Sequence, residues 1–391
     1  MKTGPDGANF AGKIEKGTDM TKQWLAALAL VFGLATAPAL AQTIPVAVAG
    51  PMTGGQATFG RQMKNGAEQA VADINAAGGV LGRQLVLQTG DDACDPKQAR
   101  SVAEKLAEAQ VAVVVGHYCS SSSIPASSAY LDGGILQITP ASTNPAFTDR
   151  GMWNTFRVCG RDDQQGSFAA AYLAKNFKGK NIAVINDKTT YGKGLADEVK
   201  KALNLDGVSE KLNESYNQGD KDFTALVSKL KLNAIDIVYD GGYHQEAGLI
   251  VRQMRDQGLA TILMAGDAMA DHEFSSITGP SGDGALFTFG PDPRKRPSAA
   301  AVAQKFSSKG IDPEGYTLYT YASFQIWAAA AAKAGTVDPK KVADAIHGGT
   351  WDTVLGPITF DKKGDITAIG WAVYRWDKQG NYDEITDASK S

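Results

Sequence analysis

Catalytic and cofactor signatures are what this sequence lacks. The first strand-like run, IPVAVAG at residues 44–50, ends in GPMTGGQATFG, without the GxGxxG spacing of a dinucleotide site. No GxxxxGK followed by Ser or Thr occurs; the nearest approach, YGKGLAD, has glycine where the metal-binding hydroxyl belongs. GxSxG, CxxC and HExxH are absent as well. Histidine is scarce: His117, His244, His272 and His347 are scattered over predicted turns and helix ends, and each reads as a surface or structural residue. Nothing here argues for an enzyme, and no cofactor or metal is expected. An excess of either charge is also missing. The net charge of -3 offers no basic face for nucleic acid.

Long apolar runs are lacking too, with one informative exception near the start. MTKQWLAALALVFGLATAPALA, beginning at Met20, has an early lysine, an apolar run over residues 24–35, and small residues ending Ala39-Leu40-Ala41. That is the pattern of a secretory signal peptide over residues 1–41, with Met20 rather than Met1 as the expected start. Its apolar run is too short to span a bilayer, and nothing later approaches the ~20 residues a spanning helix needs. Export makes the three cysteines, Cys94, Cys119 and Cys159, read as one bridge plus one spare thiol. Cys94 and Cys119 each lie just past a strand-like run. Neighbouring parallel strands would bring those ends together, which favours a bridge between them over metal ligation.

What is present is alternation between two periods. IPVAVAG is followed by a helix-period stretch, then LVLQT, a helix opened by Pro96, VAVVVG, a serine-rich helix start, and ILQIT. The pattern restarts after Arg161 and runs through NIAVIND, IDIVYDGG and TILMAG, with helices between. Strands and helices of these lengths imply parallel sheets with right-handed crossovers. The predicted fold class is α/β, two doubly wound parallel-sheet lobes. Beyond Ser298 the chain reads as mainly helical. WDTVLGPITFDKKGDI and GWAVYRWDKQG then look like hairpin strands, with a turn at residues 362–364.

In such sheets ligands bind past the carboxyl ends of strands. In the first half those junctions hold Thr58-Phe59-Gly60, the serines Ser120 to Ser123, and TPAST at residues 139–143. In the second half they hold Tyr191, Tyr243 and Asp267. One half supplies hydroxyls and helix starts, the other rings and an acid. A zwitterion with an apolar body matches that set: carboxylate at hydroxyls and helix N–H groups, ammonium at Asp267, body between rings. The ordinary reading makes the serines caps, Tyr191 and Tyr243 surface rings, and Asp267 a helix cap.

GAEQAVADINAAGG, DDACDPKQA, GHYCSSSSIPAS, ITPASTNP, DKTTYGKGLA, DIVYDGGYHQE and TVLGPITFDKKGD, in that order, closely resemble the periplasmic leucine/isoleucine/valine-binding proteins of ABC importers. The resemblance runs from Ile44 to about Trp376. It implies two lobes joined by three crossovers, type I periplasmic binding protein fashion: residues 42–161 plus 291–369, and residues 162–290 plus 370–391. It also implies a Cys94–Cys119 disulfide, contacts to the ligand's charged ends from Ser120, Ala141, Ser142 and Thr143, and lid rings Tyr191 and Tyr243. Two positions depart: Phe59 replaces the family's usual tyrosine or tryptophan, and Asp267 its usual glutamate. Tyr316 or Tyr319 fills a third wall, with Tyr316 preferred, and Cys159 is left as a free thiol.

The expected function is therefore periplasmic capture of a neutral aliphatic amino acid by hinge closure, as a monomer, for delivery to an ABC permease. Smaller or non-α ligands (alanine, proline, γ-aminobutyrate), or amides and urea-type ligands on the same scaffold, are the alternatives. An exported α/β hydrolase is a more distant one.

Overall fold

The computed structural model describes residue 12, residues 43–368 and residues 370–386; the expected leader lies outside the described residues apart from Gly12. Five strands, β1 (Ile44–Gly50), β2 (Leu85–Asp91), β3 (Val113–Gly116), β4 (Leu136–Thr139) and β5 (Thr155–Arg157), form a parallel sheet in the order β2-β1-β3-β4-β5. Helices between successive strands make the crossovers. β1 is an interior strand and almost wholly buried, as IPVAVAG requires, whereas edge strand β2 exposes Val86.

A second sheet contains β6 (Ile182–Asn186), β7 (Leu212–Ser215), β8 (Ile237–Gly241), β9 (Ile262–Ala265) and β10 (Leu286–Phe289). After a small hairpin of β11 (Trp351–Thr353) and β12 (Gly356–Ile358), β13 (Ala372–Trp376) and β14 (Tyr382–Glu384) complete it in the order β14-β13-β10-β9-β8-β6-β7. The first five strands of this sheet are parallel; β13 and β14 are antiparallel additions. The α/β class with two mainly parallel sheets is thus the observed one. The C-terminal strands differ from the sequence expectation. β11 and β12 turn at Val354-Leu355, while GWAVYRW pairs with β10 and β14 rather than with the preceding segment. The turn at residues 361–364 does form, between the bridged residues Phe360 and Ile366.

Between β10 and β11 the chain returns to the first sheet. Helix Thr317–Ala334 packs on helix Ala57–Ala76 and on β3. Gly66 makes that approach feasible, since a Cβ there would lie 2.2 Å from the Thr317 carbonyl oxygen. Buried ionic contacts tie these returns together. Arg157, at the end of β5 and fully buried, reaches Asp365 Oδ1 at 2.8 Å through Nε, and Arg161 reaches Asp365 Oδ2 at 2.7 Å.

Candidate functional site

β3 and β4 end beside each other, and their loops form one wall. Gly116 closes β3 with φ +153°, and a Cβ there would lie 2.1 Å from the Ala49 carbonyl oxygen, so only glycine fits. Cys119 then caps the helix Ser120–Asp132 with extended backbone, its carbonyl accepting from the N–H groups of Ser122 and Ser123 at 2.9 Å. The N–H groups of Ser120 and Ser121 come first in this helix and have no intrahelical acceptor, so they carry its positive dipole end.

Cys94 and Cys119 are disulfide-bonded with a Cα–Cα distance of 5.6 Å, and Cys159 is free and buried. Contrary to the expectation from their sequence positions, the bridged segments do not follow adjacent strands. β2 and β3 are not neighbours, because β1 lies between them. The bridge instead spans the end of β1. The loop after β2 folds back through Ala93 and Cys94, both with left-handed backbone (φ 46° and 58°), and Asp92 N–H donates to the Gly50 carbonyl at 3.0 Å. The Asp92 carboxylate also meets His117 Nδ1 at 2.5 Å, and His117 Nε2 meets the Tyr130 hydroxyl at 3.0 Å. His117 is therefore a structural residue of the interior.

The opposite wall comes from the second sheet. Asp267 follows β9 and is buried. Its Oδ1 accepts from the Tyr191 hydroxyl at 3.0 Å, and its Oδ2 accepts a very short bond from the Tyr316 hydroxyl. Burial raises the Asp267 pKa above the ordinary aspartate value, partly offset by those tyrosine hydroxyls. Tyr243 precedes the helix His244–Asp256 and reaches across to the first wall, where its hydroxyl donates to Cys119 Sγ.

Ser120, Ala141, Tyr191, Tyr243 and Asp267 line one narrow cavity together with Tyr118 and Ala268. Thr143, Tyr316 and Tyr319 line a second narrow one, which also touches Asp267. Asp267 is the hinge point of the two. Phe59 and Ser142 stand one layer back. The Phe59 ring stacks on Tyr118 (centroids 4.4 Å apart), and Ser142 Oγ donates to the Tyr118 carbonyl at 2.8 Å. Both thereby hold Tyr118, which the sequence reading passed over although it sits within GHYCSSSS. The signal was available: an aromatic residue between the end of a strand and a helix start.

Two mainly parallel α/β sheets with a tyrosine-lined, acid-bearing cleft at the carboxyl ends of their strands define a type I periplasmic binding protein architecture. The chain belongs to the periplasmic binding protein family, whose pattern matches residues 43–381. It is 47% identical over 369 residues to Leu/Ile/Val-binding protein homolog 1 of Brucella suis biovar 1, covering 94% of this chain and 100% of the relative. It is 49% identical over 362 residues to the amino acid binding protein of Pseudomonas aeruginosa, covering 92% and 96% respectively. The leucine binding protein LivK of Thermotoga maritima superposes with a TM-score of 0.82 at 27% identity, over 88% of this chain and 98% of that one. Members of this family are solute-binding proteins, not enzymes.

Proposed function

We propose that this protein captures a neutral aliphatic amino acid in the periplasm and delivers it to an ABC permease, acting as a monomer after loss of its leader. The observation that carries this reading is the buried Asp267 carboxylate, held by Tyr191 and lining one cavity with Ser120 at a helix start. An anion is favoured at the helix start and an ammonium at the acid, the two charged ends an amino acid carries. The two lobes would be residues 42–161 plus 291–369 and residues 162–290 plus 370–391. Closure of one on the other buries the ligand, and only the closed form presents both docking faces together. The names of the Brucella and Pseudomonas relatives support the amino-acid class. A thermal-shift screen over the common amino acids tests it, because ligand at 100 times Kd stabilises by about 2.7 kcal/mol. No shift with any of them would defeat the reading.

A second reading is a smaller ligand, such as alanine, proline, valine or γ-aminobutyrate. Tyr118 and Tyr316 meet edge-to-face at 5.5 Å, and Tyr316 also bonds Asp267, so rings crowd the space a side chain as large as leucine's needs. Asp267 is one methylene shorter than glutamate, which withdraws its carboxylate by about 1.5 Å. Calorimetry of the wild type and Asp267→Glu discriminates. A tenfold preference for leucine that the variant leaves unchanged would rule out the smaller-ligand reading.

A further inference from the structure

Three segments carry the chain between the two sheets, and all three meet at one cavity that Asp267 does not line. Val158 follows β5 on the way to the second sheet, Pro291 follows β10 on the way back, and Gly370 precedes β13. Together they line a cavity of about 470 Å³, within the size range of small-molecule sites. The hairpin of β11 and β12 adds Leu355 and Ile358, so the lining is mainly apolar, and no acid contributes to it.

Two polar side chains stand in this lining, Arg296 and Tyr319. Arg296 is exposed and has no carboxylate partner among the described residues. Its Nη1 lies 3.5 Å from where a Cβ on Gly356 would sit, which places the guanidinium against the hairpin that carries Leu355 and Ile358. Tyr319 is buried; burial pushes its hydroxyl pKa up, and the Arg296 charge opposes the rise. Tyr319 also lines the cavity that touches Asp267, so its ring is a wall shared by the two. Gly290 admits that ring beside the second crossover, since a Cβ there would lie 2.4 Å from the Tyr319 hydroxyl oxygen.

We propose that this cavity is a second binding site, for a small monocarboxylate with an aliphatic body, and that its occupation favours closure of the cleft. The carboxylate pairs with the Arg296 guanidinium, whose fork suits two parallel N–H bonds, and the Tyr319 hydroxyl donates a further one. The aliphatic body lies against Val158, Pro291, Leu355 and Ile358. A free amino acid is a poor occupant, because its ammonium would enter the apolar lining without an acid to meet it. A ligand that touches all three crossovers favours the geometry they have here, in which the cleft walls meet. Asn144 Nδ2 donates to the Thr190 carbonyl at 2.9 Å, and the Thr58 hydroxyl to Asp271 at 2.6 Å. Reciprocity then requires the carboxylate to tighten amino-acid binding by the same factor as the amino acid tightens its own. This coupling rests on the amino-acid reading above; the site itself does not.

Calorimetric titration of wild type and Arg296→Gln with hexanoate, and with hexanamide as the neutral control, tests the site. Wild type should bind hexanoate, and the variant should bind it about tenfold more weakly or worse, as loss of a charged hydrogen-bond pair requires. Hexanamide should bind both proteins equally weakly. The coupling is read by titrating the best amino acid from the screen with and without saturating hexanoate. Its Kd should fall about fivefold or more in wild type and stay constant in Arg296→Gln, which without hexanoate should match wild type. Absence of hexanoate binding, binding that Arg296→Gln leaves intact, or hexanamide binding as tight as hexanoate's overturns the site. Weaker amino-acid binding in hexanoate places the carboxylate in the cleft and overturns it as well, and an unchanged Kd overturns the coupling. Failure of every amino acid to bind defeats the functional reading alone, since hexanoate binding and its dependence on Arg296 are measured without amino acid.

Discussion

The Tyr243 hydroxyl donates a hydrogen bond to Cys119 Sγ at 3.2 Å. Tyr243 leads from the second sheet into its helix, and Cys119 caps the helix that begins at Ser120. The disulfide sulfur is thus a contact point between the two walls of the cleft, next to the helix start assigned to the carboxylate. Tyr243→Phe keeps the ring but removes that bond. The expected loss in ligand affinity is about 0.5–1.5 kcal/mol, the net worth of an ordinary hydrogen bond, expressed as faster release in stopped-flow measurements. Unchanged release would mean that the contact contributes nothing to closure.

The cysteines make a separate prediction. Unfolding the non-reduced protein should expose one thiol, Cys159, which native burial shields from alkylation. Peptide mapping should join Cys94 to Cys119. Cys94→Ala opens a loop with a sequence separation of 25, worth about 3.5 kcal/mol in the chain-entropy model. Denaturant unfolding measures that loss.

Much of this arrangement was legible in the residues. Alternating apolar strands and amphipathic helices give the α/β class, and strand ends bearing Ser120, Thr143, Tyr191, Tyr243 and Asp267 point to the cleft. The short strands β5, β7 and β10 were not read. β5 has three residues, and edge strand β7 is the polar run LNES with no fully buried position. β10 is four residues long, too short to show a period, although all four are buried.

Asp365 joins the return segment to Arg157 and Arg161 and also accepts from the Thr148 hydroxyl at 2.9 Å. Asp365→Ala leaves the fully buried Arg157 guanidinium without its carboxylate. Breaking one side of a buried pair costs about 3–5 kcal/mol. Urea unfolding should show that loss, whereas a change below 1 kcal/mol would mean that water reaches Arg157.

Asp187, near the loop that carries Tyr191, is pushed up to about 6 by burial, against hydrogen bonds from Thr189 and with the Glu246 charge adding to the rise. An acid whose folded pKa is raised binds its proton more tightly when folded. Its contribution to stability is therefore full below about pH 4 and is lost as the pH rises through 6. Asp187→Asn removes this dependence. Relative to wild type, the variant should gain about 3 kcal/mol of stability between pH 4 and pH 7, read from chemical denaturation at each pH. Parallel pH profiles for the two proteins would place the titration elsewhere.

The account turns on a ligand carboxylate at the Ser120 helix start facing an ammonium at Asp267. The most direct measurement is a calorimetric titration of the wild type with one neutral amino acid, its carboxamide and its deaminated acid, at the same pH and salt. The account predicts tight binding of the free amino acid alone, with each of the others weaker by about tenfold or more, since a hydrogen bond to a charged group is worth about 1.5–3 kcal/mol. A carboxamide that binds as well as the free acid would contradict it.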